Sequence, residues 1–401
     1  MTSSASELVL PKLAQASSLL QRFDLDLWLT LVQETSLTRD PALDLIYPFG
    51  VTWHSAFLVH RSGESVAILG RYDAGTARSL QAFTTVVAYD QSIRPALIQA
   101  LQRLAPRQIA VNYSPDDPAS DGLTHGLKLR LDEVLAEAGF AAECVVSAAR
   151  FLGSLRGQKT EQEVGRIRQA VATTQALLGE LTPQLRPGVT ERQLAEQMHA
   201  MMRRDGVGAA WDWETDPIIN IGPEAEVGHG LPTDRALRPG QIVHVDFGVK
   251  QDGFCADLQR MWYLLGPGED HLPEALGQAW QAVRQALLAG AEALHPGALG
   301  WEVDHAARTS LTSSGYPEYL HAFGHHLGRV AHDGSTVLGP RWERYGRTPF
   351  SAIEVGNVFA IELGVQLEGY GPVYAEEDVR VAEASLEWLS TPQTEITLIQ
   401  P

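Results

Sequence analysis

The sequence predicts an α+β chain of two domains, and three observations carry that prediction. Short apolar runs alternate with helix-like stretches up to about residue 155, the pattern of an α/β domain. A T-x-x-E box near residue 160 then opens a long run of apolar residues at helical spacing. Beyond it, one nine-residue segment occurs twice. The expected organisation is an α/β N-terminal domain over 1–155 and a second domain over 156–401 with an internal pseudo-twofold repeat. With 401 residues, 44% hydrophobic and 20% charged, the chain can fill two cores, which excludes a disordered or fibrous protein.

In the first half, Leu27–Val32, Ala56–Val59, Val66–Leu69 and Thr84–Ala88 read as strands, and Pro95–Leu104 and Asp121–Ala138 as helices. His60-Arg-Ser-Gly-Glu-Ser65 carries turn chemistry between two of the strands and predicts a hairpin. In the second half, Thr160 and Glu163 cap a helix that buries Val164, Ile167, Val171, Leu178 and Leu181. Thr190 and Gln193 form a second box, with Leu194, Met198 and Met201 on one face as core packing.

The repeat is the most informative feature. Gly240-Gln-Ile-Val-His-Val-Asp246-Phe-Gly248 recurs 116 residues on as Gly356-Asn-Val-Phe-Ala-Ile-Glu362-Leu-Gly364, with acid replacing acid. Pro187-Gly188 and Pro296-Gly297 introduce a helical segment before each copy. Strand alternation puts His244 and Asp246 on one face and Val243, Val245 and Phe247 on the other. A hairpin centred between Gln251 and Asp252 sets Asp246 opposite Asp257, and a turn at 368–371 sets Glu362 opposite Glu377, with Cβ atoms about 4.5–5.5 Å apart. A one-residue slip in either register turns one acid to the opposite face. A single acid commonly sits on a solvated strand face, but four acids in two matched hairpins repel unless a cation lies among them. This arrangement points to metal.

Imidazoles supply the complementary donors. His321, His325 and His332 fall within twelve residues, and His229 lies seventeen before Asp246. One of them can complete a carboxylate-rich site while others move protons near neutral pH. His271, His295, His305 and His326 read as structural. The net charge of −18, with no basic block, disfavours nucleic acid. Two cysteines, Cys144 and Cys255, fit a reducing compartment, and no apolar run reaches the roughly 18 residues of a membrane span. The expectation is a cytoplasmic protein with no membrane partner.

On these residues the chain resembles the pita-bread metallopeptidase family, which includes methionine aminopeptidase, aminopeptidase P, prolidase and the metal-free creatinase. The likeness runs from about Lys159 to Arg380 and implies a pita-bread (creatinase/aminopeptidase-like) catalytic domain. It implies as metal ligands Asp246, Asp257, His325, Glu362 and Glu377. Asp257 and Glu377 would bridge two ions, Asp246 would serve one, and His325 and Glu362 the other. Glu362 would also accept a proton from the attacking water. His229 and His332 would stabilise the oxyanion and pass a proton to the leaving group, and His321 would hold a substrate terminus.

A first domain of about 155 residues resembles the proline-specific branch, where such a domain assists dimerisation and limits substrate length. The resemblance therefore implies a homodimeric Xaa-Pro dipeptidase (prolidase) acting on small peptides with proline at the second position. Aminopeptidase P, which takes longer peptides, is the alternative, and a metal-free creatinase-like or binding protein is the reading from another class. Two divalent ions about 3.5–4 Å apart would share a water of lowered pKa. The donor set suits manganese, with cobalt or zinc tolerated. Three residues depart from the family pattern: Ala375 where an Arg is usual, Gln259 for a Thr, and Arg329 for an apolar residue. Arg329 or Arg260 could compensate for the first.

Overall fold

A computed structural model of the chain describes residues 2–225, 228 and 230–401. The chain divides into two compact units, Met1–Gln162 and Glu163–Pro401, a division beyond the expected residue 155.

In the first unit, strands β1 (Leu27–Val32), β2 (Ser55–His60), β3 (Ser65–Gly70), β4 (Thr85–Tyr89), β5 (Ile109–Val111) and β6 (Val145–Ser147) form one sheet in the order β4-β3-β2-β1-β5-β6. β2 and β3 pair antiparallel around the expected turn, and β1–β5, β3–β4 and β5–β6 run parallel. Every residue of β1 is buried because helices cover both faces. Trp28, Val32, Phe57 and Leu69 join one core with residues of the helices at Thr2–Arg22 and Ala149–Gly157. Leu27, Leu29, Leu31 and Leu58 join the other with Arg94–Leu104 and His125–Ala138.

Helix Glu161–Leu181 starts directly after Thr160, and all but its first two residues belong to the second unit. Thr190 then caps helix Glu191–Asp205 through the predicted box: Gln193 N–H donates to Thr190 Oγ1 at 3.2 Å and Thr190 N–H to Gln193 Oε1 at 3.1 Å. Its remaining strands are β7 (Gly208–Ala209), β8 (Ile218–Ile221), β9 (Gln241–Phe247), β10 (Val249–Gln251), β11 (Phe254–Cys255), β12 (Leu258–Leu264), β13 (Gly324–His326), β14 (Val337–Leu338), β15 (Val358–Leu367), β16 (Gly371–Val381), β17 (Leu386–Trp388) and β18 (Thr397–Ile399). Nine of them make one sheet, with the path β14-β13-β15-β16-β12-β9-β8 and with β17 and β18 on β16 and β12. Helices Glu274–Ala293 and Gly300–Ser313 share a core with Ile361, Leu363 and Val373.

The repeat is visible in the backbone. Gly188 N–H donates to Leu237 O at 2.8 Å, and at the matching positions Gly297 N–H donates to Ile353 O at 2.9 Å. The isolated bridges Thr190–Ala236 and Leu299–Ala352 correspond in the same way. The β9/β12 and β15/β16 hairpins meet where β12 lies against β16, at the pair Gln259–Glu376. Among the described residues, no helix is long and apolar enough to cross a membrane.

Candidate metal centre

Both hairpins differ in register from the sequence-based expectation. Gln251 pairs with Phe254, so Asp252-Gly253 forms the two-residue turn, with φ of 50° and 82°. These left-handed values match the Asp-Gly type I′ turn that the twist of a hairpin favours. The register moves by two residues, and Asp246 faces Gln259 instead of Asp257. In the second hairpin Leu367 pairs with Gly371 around a three-residue loop, and Glu362 faces Glu376 while Glu377 is paired with Ile361.

That one-residue slip exchanges the faces of the acid doublet. Glu377 turns away from Glu362 and is buried against Arg260 Nη2 at 3.0 Å, Ser390 Oγ at 2.5 Å and the Gln393 N–H at 2.8 Å. Glu377 is therefore replaced by Glu376 as the acid facing the site. Ligand atoms of Asp257, His325 and Glu376 lie within 4.8 Å of one another, and His325 Nε2 is 3.8 Å from Asp257 Oδ2.

The ladders assemble the rest of this face. Asp246 reaches it from β9, Gln259 from β12, Glu376 and Tyr374 from β16, and Glu362 from β15. His325 stands on β13 opposite Ala360 and shares the side of Glu362. The Asp257 backbone N–H donates to Asp378 Oδ2 at 3.1 Å, which anchors the start of β12. The sequence pattern alone does not mark Asp378, His244 or Glu376 as residues of this site. Alternation from a correctly placed Asp-Gly turn would have put the first hairpin in register, and the three-residue loop would have selected Glu376.

The electrostatics are those of anions gathered without compensation. Burial pushes Asp246, Asp257 and Glu376 well above the ordinary carboxylate range, and the neighbouring acids push them further. Asp246 Oδ1, Asp257 Oδ1 and Glu376 Oε2 are buried with no hydrogen-bond partner among the described residues. His325 is tuned as a donor atom. Its Nδ1 lies 3.1 Å from Ala331 O, which assigns the proton to Nδ1 and leaves the Nε2 lone pair facing the acids. Burial, followed by the nearby His332, lowers its pKa to about 3, so it stays neutral. Buried orphan oxygens and a neutral, oriented imidazole fit a divalent cation.

The other histidines divide. The His332 ring meets His325 edge-on at 4.2 Å. His321 sits between Tyr319 and Tyr374, at 5.1 and 5.9 Å, with Nδ1 2.8 Å from Ala322 O and Nε2 buried. His326 is stacked on Phe359 in the interior, a structural role. His229 lies outside the described residues. With Glu376 on the acid face, the residue two before it is Tyr374, so the expected gap at Ala375 moves to Tyr374. Neither proposed arginine is free: Arg260 holds Glu377, and Arg329 reaches Glu163 at 3.4 Å.

Known proteins share this fold. An Xaa-Pro dipeptidase from Bacillus anthracis superposes with a TM-score of 0.73 at 21% identity, covering 98% of this chain and all of that one. An X-Pro aminopeptidase from Thermotoga maritima gives 0.71 at 22% identity, covering 96% of this chain and 99% of that one. The dipeptidase PepE of Mycobacterium ulcerans gives 0.73 at 22%, covering 99% of each chain. These likenesses establish the pita-bread fold. An uncharacterised peptidase of Staphylococcus aureus is 28% identical over 237 residues, which span 59% of this chain and 63% of the relative. The model of metallopeptidase family M24 matches residues 165–383, more than half of the chain and both acid-bearing hairpins, and the chain belongs to that family.

Proposed function

We propose that this metallopeptidase hydrolyses the bond between a first residue and a following proline, with Xaa-Pro dipeptides as its substrates. The observation that carries the reading is the convergence of Asp257, His325 and Glu376 on a sheet face shared with Asp246 and Glu362. The solved structures named Xaa-Pro dipeptidase and X-Pro aminopeptidase add support through their fold. Asp246, Asp257, His325, Glu362 and Glu376 would hold the divalent ions, manganese being the best match to this donor set. Such ions, when bound, supply a water of lowered pKa and polarise the scissile carbonyl.

The protein's own groups handle the protons. Glu362 accepts one from the attacking water, and His332, edge-on to His325, delivers one to the proline nitrogen, a secondary amine that leaves only when protonated. His321, held between two tyrosine rings, orients a substrate terminus. The unit at 1–162 limits substrate length, assisted by a second copy of the chain.

A second reading is aminopeptidase P activity on longer peptides. It is favoured by Tyr374 in place of a cation and by the engagement of Arg260 and Arg329, because a dipeptide presents a free carboxylate next to the cleaved bond. The test is turnover of Ala-Pro and Ala-Pro-Ala by dialysed protein supplied with manganese. Faster dipeptide cleavage is expected. Cleavage of the tripeptide alone selects the second reading, and cleavage of neither with any divalent ion ends both.

A further inference from the structure

A chain of buried neutral groups leads into the acid face from β8. Asn220 and His244 are cross-strand partners on β8 and β9, and His244 Nδ1 lies 3.0 Å from Asn220 Oδ1. His244 Nε2 lies 2.7 Å from Gln259 Oε1, and Gln259 Nε2 donates to Glu362 Oε2 at 2.8 Å. His244 is fully buried and Gln259 almost so. We infer that His244 and Gln259 form a positioning pair for Glu362, tying one of its oxygens and leaving the other for the metal and water.

The hydrogen-bond directions are dictated from the acid end. An ionised carboxylate only accepts, so Gln259 must turn its amide nitrogen to Glu362 and its oxygen to His244. His244 then carries a proton on Nε2, and its Nδ1 accepts from Asn220 once that amide is turned to present its nitrogen. The imidazole completes that orientation by donating from Nε2 to the glutamine oxygen, which would otherwise be buried without a partner.

Such a clamp is needed because Glu362 stands among Asp246, Asp257 and Glu376, whose charges repel it. A carboxylate repelled from several sides swings away from the shared centre unless something holds it. A lysine or arginine there would hold it, but its charge would compete with the incoming cation. A neutral amide supplies the hydrogen bond and adds no charge, so the site keeps its full attraction for metal. This inference rests on the assignment of Glu362 to the metal site, and it concerns residues that touch neither metal nor substrate.

The test is manganese titration calorimetry on full-length wild type, Gln259→Met, His244→Phe, the double variant and His244→Gln, with turnover of Ala-Pro and Ala-Pro-Ala in parallel. Each of the first two changes is expected to weaken manganese binding about 10–100-fold. Because both cut one chain, the double variant should lose no more than the worse single one. His244→Gln, which keeps a donor facing Gln259, should stay within a few-fold of wild type. Turnover should fall with KM changed less than kcat. Should His244→Phe fail to fold, Gln259→Met and His244→Gln carry the comparison. Wild-type affinity in Gln259→Met, or losses that multiply in the double variant, would overturn the inference. A wild type that binds manganese yet cleaves neither peptide removes the substrate reading alone, since the isotherms still decide the clamp.

Discussion

Glu376 and Glu377 are adjacent in sequence and opposite in role because a strand sends successive side chains to opposite faces. Glu376→Gln should weaken manganese binding by at least tenfold in calorimetry and leave the metal-free protein as stable as before or more so, since it removes a crowded buried charge. Glu377→Ala should do the reverse. It strands Arg260 in the interior, which costs about 3–5 kcal/mol in chemical denaturation, while manganese affinity stays within a few-fold. Sequence alone located the doublet and not its orientation, since either acid satisfies the pattern and only the loop length decides. Asp40 makes a separate prediction in the first unit. It is buried beside Asn112, whose Nδ2 donates to its Oδ2 at 2.8 Å, and desolvation raises its pKa from 3.8 to about 6. The folded chain therefore binds more protons than the unfolded one between those values, so stability falls as pH rises through that window and is flat above it. The span corresponds to about 3 kcal/mol. Urea titrations from pH 3.5 to 7 should show that slope reduced in Asp40→Asn; equal slopes would refute the assignment.

At the scale of elements, the hairpins were legible as hairpins. Leu27–Val32 is a strand with the expected ends, the Thr190 box caps the expected helix, and both copies of the repeat are strands. The remainder depended on contacts between segments distant in the chain. The strand that carries His325 has only three residues, too few for a periodicity to reveal, and β14 and β15 on either side make it one. Two glycines of the second hairpin separate packing from backbone conformation. A Cβ on Gly364 would meet Tyr374 Cγ at 2.2 Å and Val373 O at 2.5 Å, whereas one on Gly369, at φ +81°, would meet nothing within 4 Å. Gly364→Ala should destabilise the protein by about 1–3 kcal/mol through overpacking and also weaken manganese binding, because the displaced ring is on the strand of Glu376. Gly369→Ala should cost about 1 kcal/mol from left-handed backbone alone and leave the isotherm unchanged. Equal effects on metal binding would show that the Tyr374–Gly364 contact does not support the site.

Across the whole molecule, the duplication explains why the acids are gathered at all. Neither hairpin alone collects enough ligands: β9 and the start of β12 bring Asp246 and Asp257, β15 and β16 bring Glu362 and Glu376, and the contact of β12 with β16 joins the two sets. That convergence was readable from the repeat, since two like units packed about a pseudo-axis carry equivalent positions to its centre. Metal should therefore act as a staple between halves. A ligand that binds only the folded state stabilises it by RT ln(1 + [L]/Kd), about 2.7 kcal/mol at a hundredfold excess over Kd. Hydrogen exchange of metal-free and manganese-loaded protein should then show amides of β9, β12, β15 and β16 slowed together, by up to about a hundredfold where exchange requires global opening of the second unit. Amides of the six-stranded sheet in the first unit, which supplies none of the assigned ligands, should exchange at unchanged rates. Slowing confined to β15 and β16 would mean that only one copy of the repeat contributes ligands, and the symmetric centre would have to be abandoned.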